Sequence, residues 1–125
     1  MRDHSLSEIA APHCHWPLAA DPPRLAPGEV HLWAVSLASS DDALARLATR
    51  LDDDETERAA QFLFAPHRRR FIAGRAGLRG ILARYLGESP EGIEFAYEGL
   101  GKPFLGRRHS GASLHFNLSN SGEMA

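Results

Sequence analysis

The sequence predicts an α+β fold in one domain. Residues 30–37, VHLWAVSL, are rich in β-branched and aromatic side chains and follow Pro27-Gly28, the mark of a first strand. Residues 67–86 repeat apolar side chains at helical spacing, and residues 93–97 and 114–118 alternate apolar with polar, as half-buried strands do. At 125 residues, 43% hydrophobic and 24% charged, the chain has the length and composition of one domain with a real core.

The elements follow in order. Up to about Gly28 the chain carries Pro12, Pro17, Pro22, Pro23 and Pro27, so residues 1–28 read as an extended arm. Within it, His13-Cys14-His15-Trp16 offers metal-ligand types, but neighbours on an extended chain point to opposite sides and no second ligand pair follows at zinc-site spacing. After the first strand, Ser39 or Ser40 caps a helix through Asp41 and Asp42, with Ala43, Leu44, Leu47 and Leu51 as its apolar stripe. The acidic run Asp52-Asp53-Asp54-Glu55 interrupts it and reads as the solvated start of the next helix rather than a metal site. That helix covers 56–64 with Ala59, Phe62 and Leu63 inward, until Pro66 breaks it.

The helix over 67–86 is the most informative. Phe71, Leu78, Leu82 and Tyr85 form its core stripe, with Gly74 beside it where a neighbour can approach closely. Arg68, Arg75 and Arg79 are spaced by seven and four residues and stack in a second row along the stripe's edge. Guanidinium forks suit phosphate geometry, so the row is either an anion site or a set of side chains that snorkel or pair with Asp and Glu elsewhere. Gly87 and Pro90 end the helix. Gly99-Leu100-Gly101-Lys102-Pro103 is a turn whose glycines let backbone approach a ligand and whose lysine is a compact charge. Residues 107–111 read as a polar surface loop. Ser119 and Asn120 follow the strand at 114–118, offering a hydroxyl and an amide, and Asn120-Ser121-Gly122 reads as a turn into a partner strand of which only three residues follow.

Fourteen Lys and Arg against sixteen Asp and Glu give a formal net charge of -2, which removes the global basicity of a nucleic-acid binder; any anion site must be local. A single cysteine, Cys14, excludes an intrachain disulfide and fits a reducing compartment, so a cytoplasmic location is expected. No apolar run reaches the length of a membrane span.

Several motifs become specific in combination. Glu57-Arg58-Ala59-Ala60-Gln61-Phe62, then Arg70-Phe71 and Gly74-Arg75 through Leu78-Arg79, then Gly101-Lys102-Pro103-Phe104-Leu105, then Phe116-Asn117-Leu118-Ser119-Asn120-Ser121-Gly122 together resemble the surfactin-type 4′-phosphopantetheinyl transferases over residues 29–125. The resemblance implies a half made of a small antiparallel sheet packed with a long helix, one of two similar halves in a pseudo-dimer with coenzyme A between them. It implies transfer of the phosphopantetheine arm of coenzyme A to a serine of an acyl or peptidyl carrier protein, with magnesium. Arg58 resembles the basic residue that meets the 3′-phosphate, Lys102 the lysine near the ligand's phosphates, and Ser119 the serine on the nucleotide portion. Asn120 stands where the family usually has a phosphate-contacting histidine. Arg75 and Arg79 rank below these as cofactor-binding candidates.

The family's acidic metal motif and its later Lys-Glu motif have no counterpart here, so the chain reads as an N-terminal half, inactive alone, with magnesium expected only with the C-terminal half. The alternative is a non-catalytic module that binds coenzyme A or a carrier protein and self-associates through the surface around 114–121.

Overall fold

The structure, a computed structural model, describes residues 22–125. The His13-Cys14-His15-Trp16 stretch and most of the proline-rich arm lie outside the described residues. Among the described residues three helices, α1 (Asp41–Ala48), α2 (Asp53–Ala60) and α3 (Ala65–Leu86), are followed by an antiparallel hairpin of β1 (Phe95–Glu98) and β2 (Lys102–Leu105). Short 3-10 turns at Pro90–Gly92 and Arg107–His109 flank the hairpin. This is the small α+β arrangement that the sequence predicts, a long helix packed with a small antiparallel sheet.

Local chemistry sets the helix ends. Ser40 caps α1 by accepting from the Ala43 amide at 3.2 Å. Asp52 caps α2 in a capping box: its carboxylate accepts from the Glu55 amide at 2.8 Å while Glu55 accepts from the Asp52 amide at 3.0 Å. The acidic run therefore starts α2 earlier than the expected residue 56, and α2 ends earlier too, leaving Leu63 90% exposed rather than inward. Pro66 sits in the first turn of α3, where a missing amide costs no hydrogen bond, and so opens that helix at Ala65. Gly87 closes it in the left-handed conformation, φ 65°.

One face of α3 is built of small residues, and other elements lie close against it. Leu37 is buried against Gly74, at 3.5 Å from the position a Cβ would take, and a Cβ on Gly77 would come within 2.9 Å of the Val35 side chain. Arg50, at the end of α1, crosses the same face and donates to the Ala76 carbonyl at 3.3 Å. The expected first strand is extended along this face, but only its end is paired. Val35 and Leu37 donate to Ala125 and Glu123 carbonyls, both at 2.8 Å, and Ala125 donates back to Val35 at 2.9 Å. The expected turn at Asn120-Ser121-Gly122 closes between Ser121 and Met124, so the residues beyond it serve as the partner of residues 35–37.

The opposite side of α3 carries the main apolar core: Leu78, Leu82, Ala83 and Ile93, with Leu86, Phe95, Leu105, Leu114 and Phe116 packed on them. Residues 114–118 differ from expectation. Leu114 and Phe116 do turn inward, but among the described residues the backbone of 113–120 makes no backbone hydrogen bond, so it is an extended segment rather than a strand. The strand β2 fell on residues whose Lys-Pro beginning reads as turn. The polar loop at 107–111 hides a buried side chain: His109 accepts from the Glu94 amide through Nε2 at 2.8 Å, and its Nδ1 faces Glu88 at 3.3 Å. A hydrogen bond from Arg108 holds the Glu88 carboxyl below its usual range. Among the described residues, no helix is long and apolar enough to cross a membrane.

The close approach to Gly77 generates a prediction. Gly77→Val forces a branched side chain into the Val35 contact and should cost about 1–3 kcal/mol of stability, read by urea denaturation, with part of the loss restored in the Gly77→Val, Val35→Ala double variant. Unchanged stability in the single variant would show that residues 30–37 do not rest on α3 as described.

Candidate functional site

The site is built outward from a buried carboxylate. Glu55, in the first turn of α2, is 0% exposed, and its two oxygens receive Arg75 Nη1 at 3.0 Å and Arg79 Nε at 2.7 Å. Arg79, also 0% exposed, spends its other donors on Asp52 at 3.1 Å and on the carbonyls of Pro90 and Ile93 at 2.9 and 2.7 Å. Two carboxylates thus meet two guanidiniums, and the cluster is charge-balanced. That balance is the condition under which buried ions are tolerated. The rings of Phe71, Phe95 and Tyr97 lie 5.1–5.7 Å from the Arg75 guanidinium carbon, giving it aromatic neighbours in place of water.

Of the two readings of the arginine row, pairing with acids is the one found for Arg75 and Arg79. Arg68 reaches the Phe62 carbonyl at 3.1 Å, while Arg75 and Arg79 are inside the protein, 7% and 0% exposed, with carboxylate partners. Both side chains turn inward, and Arg79 has no exposed surface in this structure. In the acidic run Asp52, Asp53 and Asp54 are exposed at the start of α2 as expected, and Glu55 departs from that reading as the buried anchor of the cluster.

The other candidates remain at the surface. Arg58, in the last turn of α2, is 37% exposed, held by Asp54 at 2.9 Å and stacked with its guanidinium carbon 4.2 Å from the centre of the Tyr97 ring. Tyr97 in turn accepts a hydrogen bond on its hydroxyl from Arg75 Nη1 at 2.7 Å. Lys102 opens β2 opposite Glu98, and both side chains are exposed. By strand alternation Lys102 belongs to the hairpin face opposite Tyr97 and Pro103, so Arg58 and Lys102 flank the hairpin rather than sharing one side of it.

Chain direction brings Ser119 and Asn120 toward the same end. β1 leaves Arg79 at Ile93 and meets Arg75 at Tyr97, so it runs toward the beginning of α3. The 113–120 segment starts at Leu114, beside the Leu82 cluster, and passes Phe95 at Phe116, with ring centres 5.8 Å apart. Shortly after it, Glu123 pairs with Arg70 at 3.0 Å. Ser119 and Asn120 are exposed at that end. Chemically, the arrangement offers two exposed cations, a hydroxyl and an amide, which suits a phosphorylated ligand of some length. Among the described residues no three His, Cys, Asp or Glu side chains gather as metal ligands, and Asp52 and Glu55 are engaged by arginines.

Sequence reasoning missed Glu55 and Tyr97. Glu55 had a signal: it stands four residues before Ala59 on the inward face of α2 and three after a capping Asp. Tyr97 had only its place in an alternating strand.

Comparison with known proteins gives a family match over residues 36–125, described as "4'-phosphopantetheinyl transferase, N-terminal". The chain is 50% identical over 97 residues to the 4'-phosphopantetheinyl transferase HetI of Nostoc sp. strain PCC 7120, covering 78% of this chain and 41% of that protein. It is 37% identical over 100 residues to a phosphopantetheinyl transferase of Thraustochytrium sp., covering 78% of this chain and 34% of that protein. The chain therefore spans less than half the length of these curated relatives.

The buried cluster predicts the effect of its central residue. Glu55→Gln leaves two guanidiniums short of a charge and should cost about 3–5 kcal/mol, the loss that follows removal of one partner from a buried pair. Thermal and urea unfolding would measure it, and a loss below about 1 kcal/mol, typical of exposed pairs, would place the cluster in solvent.

Proposed function

The chain belongs to the N-terminal family of the 4′-phosphopantetheinyl transferases, and on that premise we propose that it forms the part of such an enzyme that grips the phosphates of coenzyme A. The enzyme would be of the surfactin type, acting on a serine of an acyl or peptidyl carrier protein in the cytoplasm. In the transfer, the serine oxygen forms a bond to the phosphorus that bears the pantetheine arm, the pyrophosphate bridge breaks, and the nucleotide with its 3′-phosphate departs. The serine proton goes to a base.

One observation supports this reading above the others: Arg58 is left at the surface while Arg75 and Arg79 are engaged by the buried Glu55. It is held on two sides, by a carboxylate and by an aromatic face, so little side-chain entropy remains to be lost when a phosphate replaces water. We assign the 3′-phosphate to Arg58, the bridging phosphates to Lys102, and hydrogen bonds to the nucleotide to Ser119 and Asn120. Asn120 donates through its amide without adding charge, where the family's usual histidine gains charge at mildly acid pH.

Magnesium, when bound, neutralises the pyrophosphate during the transfer. The described acids of this chain do not fit that role, because no three of them gather as metal ligands and Asp52 and Glu55 face arginines. We therefore place the metal ligands and the base outside residues 22–125. The same remainder would supply a neighbour to the extended backbone of 113–120, and self-association through that segment is the alternative source of one.

Calorimetric titration of the full-length protein with coenzyme A and with dephospho-coenzyme A tests the assignment. Arg58→Ala should weaken coenzyme A by about 1–3 kcal/mol and leave the ligand lacking the 3′-phosphate unchanged, as for loss of one charge-assisted hydrogen bond. Lys102→Ala should weaken both. Equal losses for both ligands in Arg58→Ala would remove the 3′-phosphate from Arg58.

A further inference from the structure

Tyr97 joins the buried cluster to the exposed cation. Its hydroxyl takes a hydrogen bond from Arg75 Nη1 at 2.7 Å, and Arg75 is fixed in turn by Glu55 at 3.0 Å. Its ring lies under Arg58, 4.2 Å from the guanidinium carbon. Strand pairing opposite Pro103 holds the backbone of Tyr97, and the hydroxyl contact fixes how far the ring leans toward α2. An arginine side chain has many rotamers, and most of its conformational freedom is lost when it binds. A flat aromatic face attracts the guanidinium and orients its plane, so that its edge NH groups stay directed outward, toward a ligand. Asp54 alone would not do this, since an exposed ion pair between helix neighbours is weak and leaves the plane free to turn.

We infer that Tyr97 is a positioning residue: it holds the Arg58 guanidinium in the orientation that receives the 3′-phosphate, with Arg75 and Glu55 as its support. This rests on the assignment of that phosphate to Arg58. Tyr97 touches no reacting atom and acts only through its neighbour.

The test compares coenzyme A with dephospho-coenzyme A, by calorimetric titration of the full-length protein, in wild type, Arg58→Ala, Tyr97→Leu and Tyr97→Phe. Tyr97→Leu should weaken coenzyme A about three- to tenfold, the range of one cation–π contact, and leave dephospho-coenzyme A within about twofold. Tyr97→Phe keeps the ring but loses the Arg75 hydrogen bond that sets its lean, so its discrimination between the two ligands should fall between wild type and Tyr97→Leu. If Tyr97→Leu fails to fold, Tyr97→Met fills the same volume without an aromatic face and takes its place. A reading that needs no variant comes from nuclear magnetic resonance of the wild-type protein, where the Arg58 side-chain signals should be shifted by the ring current of Tyr97. Unshifted Arg58 signals would overturn the inference, and so would equal weakening of both ligands in Tyr97→Leu. If wild type and Arg58→Ala bind both ligands alike, the phosphate assignment itself falls, which distinguishes that failure from a failure of Tyr97 alone.

Discussion

A carboxylate with no exposure to water, Glu55, facing two guanidiniums is the constraint on which this structure depends. Removing such ions from water costs several kcal/mol for each, and the cost is offset only by close pairing and full hydrogen bonding. Both conditions are met. Arg79 gives donors to Glu55, Asp52 and two carbonyls of the turn before β1, and Glu55 also closes the capping box of its own helix. The cluster thereby fixes three elements to each other: α2 through its first turn, α3 through its middle, and the hairpin through its entry. Apolar packing alone specifies this less sharply, because the cluster of Leu78, Leu82, Ala83 and Ile93 is small and the apolar side chains packed on it come from neither α1 nor α2. A misplaced α2 would strand two buried charges, an error no shift of leucines would match.

The long helix serves different partners with its different faces, and residue size sorts them. Gly74, Ala76, Gly77 and Gly80 leave room for backbone and for Arg50, so residues 35–37 and the end of α1 lie directly on the helix surface. Leu78 and Leu82 face the hairpin side, and Arg75 and Arg79 face α2. At the end of the helix, Tyr85 receives Trp33 Nε1 at 2.8 Å and meets His31 Nδ1 at 2.5 Å, which ties residues 31–33 to its last turn. Burial raises the Tyr85 pKa above its ordinary value, consistent with a hydroxyl that works as a neutral hydrogen-bond partner.

What was legible in the sequence was local. Ser40 and Gly87 mark helix ends through their own backbone chemistry and the structure uses both at that task, while Pro66, read as the end of one helix, opens the next. The apolar stripe of α3 and the row of arginines follow from helical geometry alone. What lay across the chain was less legible. Whether the row faces solvent or acid depends on Glu55, twenty residues before Arg75, and spacing within one helix carries no sign of it. The pairing of residues 35–37 with 123–125 brings together the two ends of the matched region, which no local pattern announces. Lys102-Pro103 resembles a turn, yet Pro103 has no amide to donate and so sits well on an edge strand. The exposed candidates for the site, Arg58, Lys102, Ser119 and Asn120, came from motif resemblance. Tyr97 emerged only from the contacts.

Hydrogen exchange at the Arg79 Nε–H, followed by nuclear magnetic resonance of the wild-type protein, tests the buried cluster most directly. The proton is enclosed between Glu55 and the side chains around it, so it should exchange only when the domain opens and rank among the slowest side-chain protons of the molecule. Exchange as fast as that of Arg58 at the surface would contradict a sealed cluster and, with it, the placement of α2 on which Arg58 and Tyr97 depend.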